Sequence, residues 1–183
     1  MPTRGSHYER AFESYLRHRR TRFVLLSDAK KIVAGEHARL QAPENDAGVR
    51  GTLKSFDLIV YGLTAHTLVD VKGRKISSPL DPDRRPRLES WVTEDDVSSL
   101  RVWEQLFGPG HEAAFAFIYW CPDRPPAIHF DDAFEHHGRW YGIRAITLAE
   151  YTAAMHPRSP KWRTVHLRSD MFDRLSRPLF PAA

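Results

Sequence analysis

Apolar residues recur at intervals of three and four positions in several stretches of the chain, which is the spacing of one face of a helix. The predicted helices are Ser6–Arg20, residues 93–107, Thr147–Met155 and Phe172–Leu175. Thr93 is expected to cap the second helix and Gly108 to end it. The buried face of that helix is predicted to consist of Val97, Leu100, Trp103, Leu106 and Phe107.

Nearly continuous runs of β-branched and large apolar residues lie between these helices. Phe56–Tyr61 (FDLIVY) and Thr67–Lys72 (TLVDVK) are separated only by Gly62–His66, which favours a hairpin. Runs of this kind are typical of strands that are covered on both faces. The other predicted strands are Ala113–Tyr119 and a second hairpin of Ile128–Phe130 with Trp140–Ile146, and Phe23–Leu26 is either a strand or a helical turn. Loops are predicted over Gly35–Gly51 and Ser77–Glu89.

The order of these elements predicts an α/β fold with a central mixed sheet flanked by helices. A length of 183 residues favours one domain over residues 1–183. The hydrophobic content of 42% is enough for a packed core, so a fully disordered chain is excluded.

Cysteine usage and charge narrow the cellular setting and the partners. The single cysteine, Cys121, excludes an internal disulfide framework and an all-cysteine zinc site, and it suits a reducing cytoplasm. No apolar run approaches the roughly 20 residues that span a bilayer, so we expect a cytoplasmic protein without a membrane partner. The net charge of +4 permits a polyanionic partner such as nucleic acid but does not require one.

Three charged residues interrupt the two apolar runs of the predicted hairpin. Asp57 lies in the first run, and Asp70 and Lys72 lie in the second. Burying an unpaired carboxylate is costly, so each acid needs a partner. Asp70 and Lys72 share a face of their strand, and a hairpin across Gly62–His66 brings Asp57 within about one residue of them. Whether Asp57 faces the same side depends on the register of the two strands.

Two converging carboxylates are suited to a hard divalent ion such as Mg²⁺ or Mn²⁺, which also accepts water and phosphate oxygens. The carbonyl of Val71 is a further candidate ligand between Asp70 and Lys72. The ion would polarise a phosphoryl oxygen and activate a bound water. Lys72 would orient that water or stabilise the charge that develops on the phosphoryl group. The residue types alone therefore suggest hydrolysis of a phosphodiester.

With the helix before them, these residues resemble a known superfamily. Gly5–Phe12 (GSHYERAF) is similar to the G-x-x-x-E-R helix of archaeal-type Holliday junction resolvases, Asp57 matches their first strand acid, and Asp70 and Lys72 match their D-x-K signature. The chain thus resembles the PD-(D/E)XK nuclease superfamily, which has the restriction-endonuclease-like fold. The resemblance covers residues 1–120, and residues 121–183 are interpreted as a C-terminal extension of the same domain. It implies that Glu9 assists at the metal site, that the substrate is nucleic acid, with DNA as the first choice, and that a homodimer is possible.

Alternatives remain for each of these residues. The alternative for Asp57, Asp70 and Lys72 is a structural cluster that is neutral in the core, in a catalytically inactive domain of the same fold that binds nucleic acid or protein. Glu9 has a second interpretation as part of a helix cap. Lys54, Arg74 and Lys75 flank the acid-bearing strands and are predicted to contact nucleic-acid phosphates, although each alone also fits an ordinary solvated cation.

Overall fold

A computed structural model describes residues 6–26, 53–62, 65–76, 86–122 and 129–179. The helices of this part of the chain are α1 (Ser6–His18), α2 (Glu94–Phe107), α3 (Leu148–Ala154) and α4 (Ser169–Leu175). The strands are β1 (Phe23–Leu25), β2 (Leu58–Tyr61), β3 (His66–Lys75), β4 (Val92–Thr93), β5 (His111–Cys121), β6 (Asp132–His136), β7 (Arg139–Thr147), β8 (His156–Ser159) and β9 (Thr164–His166). None of these helices is both long and apolar enough to cross a membrane.

Six strands form the main sheet in the order β1-β2-β3-β5-β7-β6. The central strands β3 and β5 are parallel, and every other pair in this sheet is antiparallel. The sheet is therefore mixed, and the predicted α/β class is confirmed. Residues beyond Cys121 add β6 and β7 to this sheet, so the C-terminal part of the chain is built into it.

Helices cover both faces of the main sheet. On one face α1 packs through residues such as Phe12 and Leu16 against Val69 of β3. On the other face Leu68 of β3 packs with residues of α2, α3 and α4. Because successive side chains of a strand point to opposite faces, the even-numbered residues of β3 face α2 and the odd-numbered residues face α1.

The predicted start of α2 is confirmed in detail. The side chain of Thr93 accepts a hydrogen bond from the backbone N–H of Asp96, and the Asp96 side chain accepts one from the backbone of Thr93. This reciprocal pair is a capping box, and it fixes where the helix begins. Gly108 ends the helix with a φ of +71°, a conformation that favours glycine.

Several sequence-based expectations need correction. Leu106 is 65% exposed, because it lies on the outer side of α2, and Ser99 is buried on the inner side instead. The first strand of the second hairpin is β6, which begins after the predicted Ile128–Phe130. The small sheet β4-β9-β8 was not predicted at all. The predicted loop Gly35–Gly51, most of Ser77–Glu89, Ile128 and Gly5 of the helix motif lie outside the described residues.

Candidate active site

The hairpin of β2 and β3 brings Asp57 to the edge of β3. The register of this hairpin pairs Leu58 with Val69. Asp57 therefore lies opposite Asp70, as the sequence spacing predicted. The backbone N–H of Asp57 donates to the carbonyl of Val69 at 3.0 Å. Its carboxylate accepts the backbone N–H of Val71 at 2.6 Å. Ladder hydrogen bonds lie in the plane of a sheet, so the Asp57 carboxylate lies at the edge of β3 where the pairing with β2 has ended.

Asp70 and Lys72 lie side by side on the face of β3 that α2 covers. Asp70 is only 8% exposed. The Lys72 ammonium lies 2.9 Å from Asp70 Oδ2 and 3.3 Å from Asp96 Oδ2. Lys72 therefore bridges an acid of the sheet and an acid of the helix.

Asp96 also belongs to this cluster, although it was not predicted from the sequence as a site residue. It lies in the first turn of α2, where it also completes the cap with Thr93. Lys54 approaches it from the segment before β2, with its ammonium 2.9 Å from Asp96 Oδ1. The spacing of Thr93 and Asp96 indicated a cap, but the contact with Lys72 depends on how α2 packs against β3, which no local pattern reveals.

Two effects dominate the pKa values of the acids in the cluster: burial, and repulsion between neighbouring carboxylates. Burial and the neighbouring Asp70 raise the pKa of Asp57 to about 7, with Glu9 adding to the effect. Burial also raises the pKa of Asp70, although Lys72 and a side-chain hydrogen bond from Asp57 counteract it. In the absence of a cation, the closeness of the two acids therefore disfavours the ionisation of both at once, as in other close carboxylate pairs.

Asp96 and Lys72 stay ionised at neutral pH. Burial by itself raises the pKa of Asp96, but Lys72, Thr93 and Lys54 together lower it to about 2. Burial by itself lowers the pKa of Lys72, but Asp70 and Asp96 outweigh it, so the pKa of Lys72 is raised. Asp57, Asp70 and Asp96 thus outnumber the ammonium groups of Lys72 and Lys54 by one.

Glu9 lies on α1, on the other face of the sheet from Lys72. It is an exposed residue. Its neighbour Tyr8 packs so closely on β3 that a Cβ at Gly73 would lie 2.1 Å from Tyr8 Cδ2. The glycine therefore allows the helix to approach. The charge of Glu9 acts on Asp57 at the strand edge, and no direct contact with Lys72 is formed within the described residues.

The three cations predicted to contact nucleic acid lie in different surroundings. Lys54 donates to Thr93 Oγ1 at 3.0 Å in addition to its contact with Asp96, so it belongs to the acidic cluster. Arg74 is half-buried on the same face as Lys72, with its guanidinium carbon 4.0 Å from the centroid of the Trp91 ring. Lys75 is exposed, and its ammonium lies 4.8 Å from the centroid of the Trp120 ring.

The donors at the strand edge fit a magnesium-like ion. Asp57 and Asp70 supply carboxylate oxygens. The Val71 carbonyl lies on the same side of β3 as its N–H, which Asp57 accepts. The described residues contain no group of three or more His, Cys, Asp or Glu side chains placed to hold a metal ion. One or two carboxylates with several waters are what Mg²⁺ ordinarily uses, and the raised pKa of Asp57 indicates that added positive charge would be favourable there.

The Asp96→Asn variant tests the bridge formed by Lys72. Asparagine keeps a side-chain oxygen that can accept the backbone N–H of Thr93, and Thr93 still caps the helix, so α2 is expected to stay folded. Loss of the charge removes one of the two acids that raise the pKa of Lys72, so that pKa is expected to fall, as NMR titration of the lysine side chain would show. The matched control is Asp95→Asn in the same helical turn, where Asp95 is exposed and pairs with Arg163. An unchanged Lys72 titration in Asp96→Asn would contradict the bridge.

No protein-family model matches the sequence, and no curated protein matches it significantly. Among solved structures, the chain is similar to Hjc, a Holliday junction resolvase from the archaeal hyperthermophile Archaeoglobus fulgidus. The two sequences are 13% identical, the alignment covers 94% of this chain and 90% of that chain, and the TM-score is 0.48.

Proposed function

We propose that this protein is a metal-dependent nuclease that hydrolyses phosphodiester bonds in DNA. The observation that carries the proposal is the crowding of Asp57, at the edge of β3, against Asp70, which lies beside Lys72 on the face of the same strand. A cluster that existed only to neutralise itself would balance its charges, whereas this one keeps an excess carboxylate. The sequence resemblance to the PD-(D/E)XK superfamily rests on the same three residues together with the helix that carries Glu9, and it supports the same conclusion.

Asp57, Asp70 and the Val71 carbonyl would hold a Mg²⁺ or Mn²⁺ ion, with Glu9 assisting from the other face. When bound, the ion would polarise a phosphoryl oxygen and lower the pKa of a coordinated water. Asp57 accepts a backbone hydrogen bond, which fixes its orientation before any ion arrives. Preorganised ligands of this kind reduce the cost of binding an ion.

Lys72 would act through its positive charge. The flanking carboxylates raise its pKa, so the ammonium stays protonated at neutral pH and cannot serve as a general base. It can donate hydrogen bonds to the attacking water or to a phosphoryl oxygen, where negative charge develops during the reaction. Asp96 is a positioning residue, since it holds Lys72 without facing the strand edge.

The substrate is assigned from charge and from the predicted phosphate contacts. A phosphodiester close to the acids needs cations nearby, and Arg74 and Lys75 follow Lys72 on β3. DNA is our first choice because the sequence motifs resemble those of DNA resolvases. That resemblance also suggests a homodimer, in which two such sites would act on one substrate.

A direct assay tests the function. The purified protein is incubated with branched, single-stranded and duplex DNA in Mg²⁺, in Mn²⁺ and in EDTA. We expect cleavage of at least one substrate with either ion and none in EDTA. Absence of cleavage under all conditions, in a folded protein, would contradict the proposal.

A non-catalytic domain of the same fold is the second candidate. It is favoured by the contact of Lys72 with Asp70, which already neutralises one of the two acids. This alternative predicts that DNA or protein binding persists without any requirement for a divalent ion. The metal requirement therefore separates the two candidates.

A further inference from the structure

A cavity of about 950 Å³ lies at the C-terminal end of β3, next to the candidate active site. Its described walls come from β3, from Tyr119 of β5 and from three further segments, residues 86–91, 157–158 and 166–170. Arg74 lines it and shares a face of β3 with Asp70 and Lys72, because alternate residues of a strand face the same side. The cavity, here called the basic pocket, therefore continues the site along the strand, about 7 Å beyond Lys72.

Arg74 is the central charged group of the basic pocket. Its guanidinium donates to the main-chain carbonyls of Gly73, at 2.7 Å, and of Trp91. The guanidinium stacks on the Trp91 ring. Within the described residues it forms no ion pair with a carboxylate. Its Nε is buried and has no hydrogen-bond partner. A largely desolvated guanidinium normally has an anion beside it, and Arg74 lines the cavity without one, so an anionic ligand in the cavity would meet this need.

Most of the charged side chains that line the pocket around Arg74 are positively charged as well. Among the described lining residues there are five Arg and Lys residues and two acids, namely Arg74, Lys75, Arg87, Arg158 and Arg168 against Glu89 and Asp170. Both acids already have partners: Glu89 lies 3.4 Å from Arg158 and accepts the Trp91 indole N–H at 3.1 Å, and Asp170 lies 3.8 Å from Arg168. The excess of three positive charges is most of the net charge of +4 that the whole chain carries.

The shape and the lining of the pocket suit a nucleotide better than a small ion. Guanidinium groups bind phosphate through two parallel hydrogen bonds. The volume is far larger than a phosphate needs and lies within the range of small-molecule sites. Ile76, Leu88 and Leu167 add apolar surface, against which a sugar and a base can pack.

We propose that the basic pocket binds a nucleotide unit of the strand that crosses the acids, with Arg74 and Arg158 as its phosphate ligands. The inference rests on the proposed function for the source of the phosphate, because Arg74 projects from the same face of β3 as Asp70 and Lys72. The pocket would anchor the strand beside the cleaved bond. Arg158 comes from the C-terminal part of the chain, so this part contributes to substrate choice.

The test measures binding, in EDTA, of a fluorescein-labelled single-stranded oligonucleotide by anisotropy. Arg74→Gln and Arg158→Gln are each expected to weaken binding about tenfold, and to reduce the slope of log affinity against log salt by about one. The matched control is Arg174→Gln, because Arg174 is exposed on α4 and does not line the pocket. If Arg74→Gln loses its fold by circular dichroism, Arg158→Gln carries the test, since Arg158 lies at the rim.

Competition identifies the source of the phosphate. A nucleoside monophosphate and inorganic phosphate are titrated against the labelled strand. We expect both to compete only weakly. If both arginine variants bind the strand as tightly as Arg174→Gln does, the proposal is wrong. If the variants lose binding of the monophosphate but still bind the strand, the pocket serves a free nucleotide and the proposal is likewise wrong. Arginine-dependent binding without any cleavage in Mg²⁺ would keep the pocket and refute the nuclease.

Discussion

Replacing Asp70 by asparagine is expected to lower metal-dependent cleavage by about 10²–10³-fold while the chain stays folded. Asparagine has nearly the same shape, and Lys72 keeps Asp96 as its partner, so the packing around α2 is preserved. What is lost is one of the two carboxylates at the edge of β3, and with it most of the attraction for a divalent ion. The measurement is kcat/KM on the best substrate, with circular dichroism and thermal unfolding as checks on the fold.

Lys72→Met is expected to cause a loss of the same order for a different reason, because it removes the charge beside the phosphoryl group. It also leaves Asp70 and Asp96 without a shared counter-ion, so the free energy of unfolding should fall by about 3–5 kcal/mol. The control for both variants is Lys161→Met, an exposed lysine outside the cluster. Activity at the level of this control in both folded variants would refute the assigned roles.

Replacing Asp57 by asparagine is expected to stabilise the protein at alkaline pH in the absence of divalent ions. The folded-state pKa of Asp57 is about 7, well above its ordinary value of 3.8. Between these two values the folded chain keeps a proton that the unfolded chain has released, so stability falls as the pH rises through this window. Above pH 7 the full cost of an ionised Asp57 is present.

Asparagine mimics the protonated acid, since it accepts the Val71 N–H and donates toward Asp70. The Asp57→Asn variant should therefore gain about 1–3 kcal/mol in free energy of unfolding at pH 8, and little at pH 4. Urea unfolding in EDTA at both pH values measures the difference. The control is Asp131→Asn, an exposed acid away from the site. Equal destabilisation of Asp57→Asn at both pH values would mean that the carboxylate serves the fold and not an ion.

The central hairpin could be predicted because the residues that determine its pairing are close together in the sequence. The runs around Asp57 and Asp70 are apolar and only Gly62–His66 separates them, so a hairpin that brings the two acids close was expected, and the observed pairing of Leu58 with Val69 does so. The same holds for α2, where Thr93 and Gly108 mark both ends. In each case the deciding residues are close together in the sequence.

Features that depend on packing between distant elements could not be predicted. Asp96 contacts Lys72 only because α2 lies across β3, and Leu106 is exposed because α2 turns a narrower face to the sheet than its pattern indicated. The strands of the small sheet are two to four residues long, too short to show alternation. Arg74 was predicted to contact nucleic acid, but its pocket is completed by Arg158 and its neighbours, which lie far along the chain.

The most direct test of the central claim is a titration of the protein with Mn²⁺. The free ion is measured by electron paramagnetic resonance. The solution contains an oligonucleotide whose phosphorothioate linkages resist cleavage, so that substrate is present throughout. One ion should bind per chain in the wild type, and this binding should be lost in both Asp57→Asn and Asp70→Asn but kept in Asp131→Asn. Binding that is absent from the wild type, or that survives both substitutions unchanged, would show that the paired acids at the edge of β3 are not a metal site.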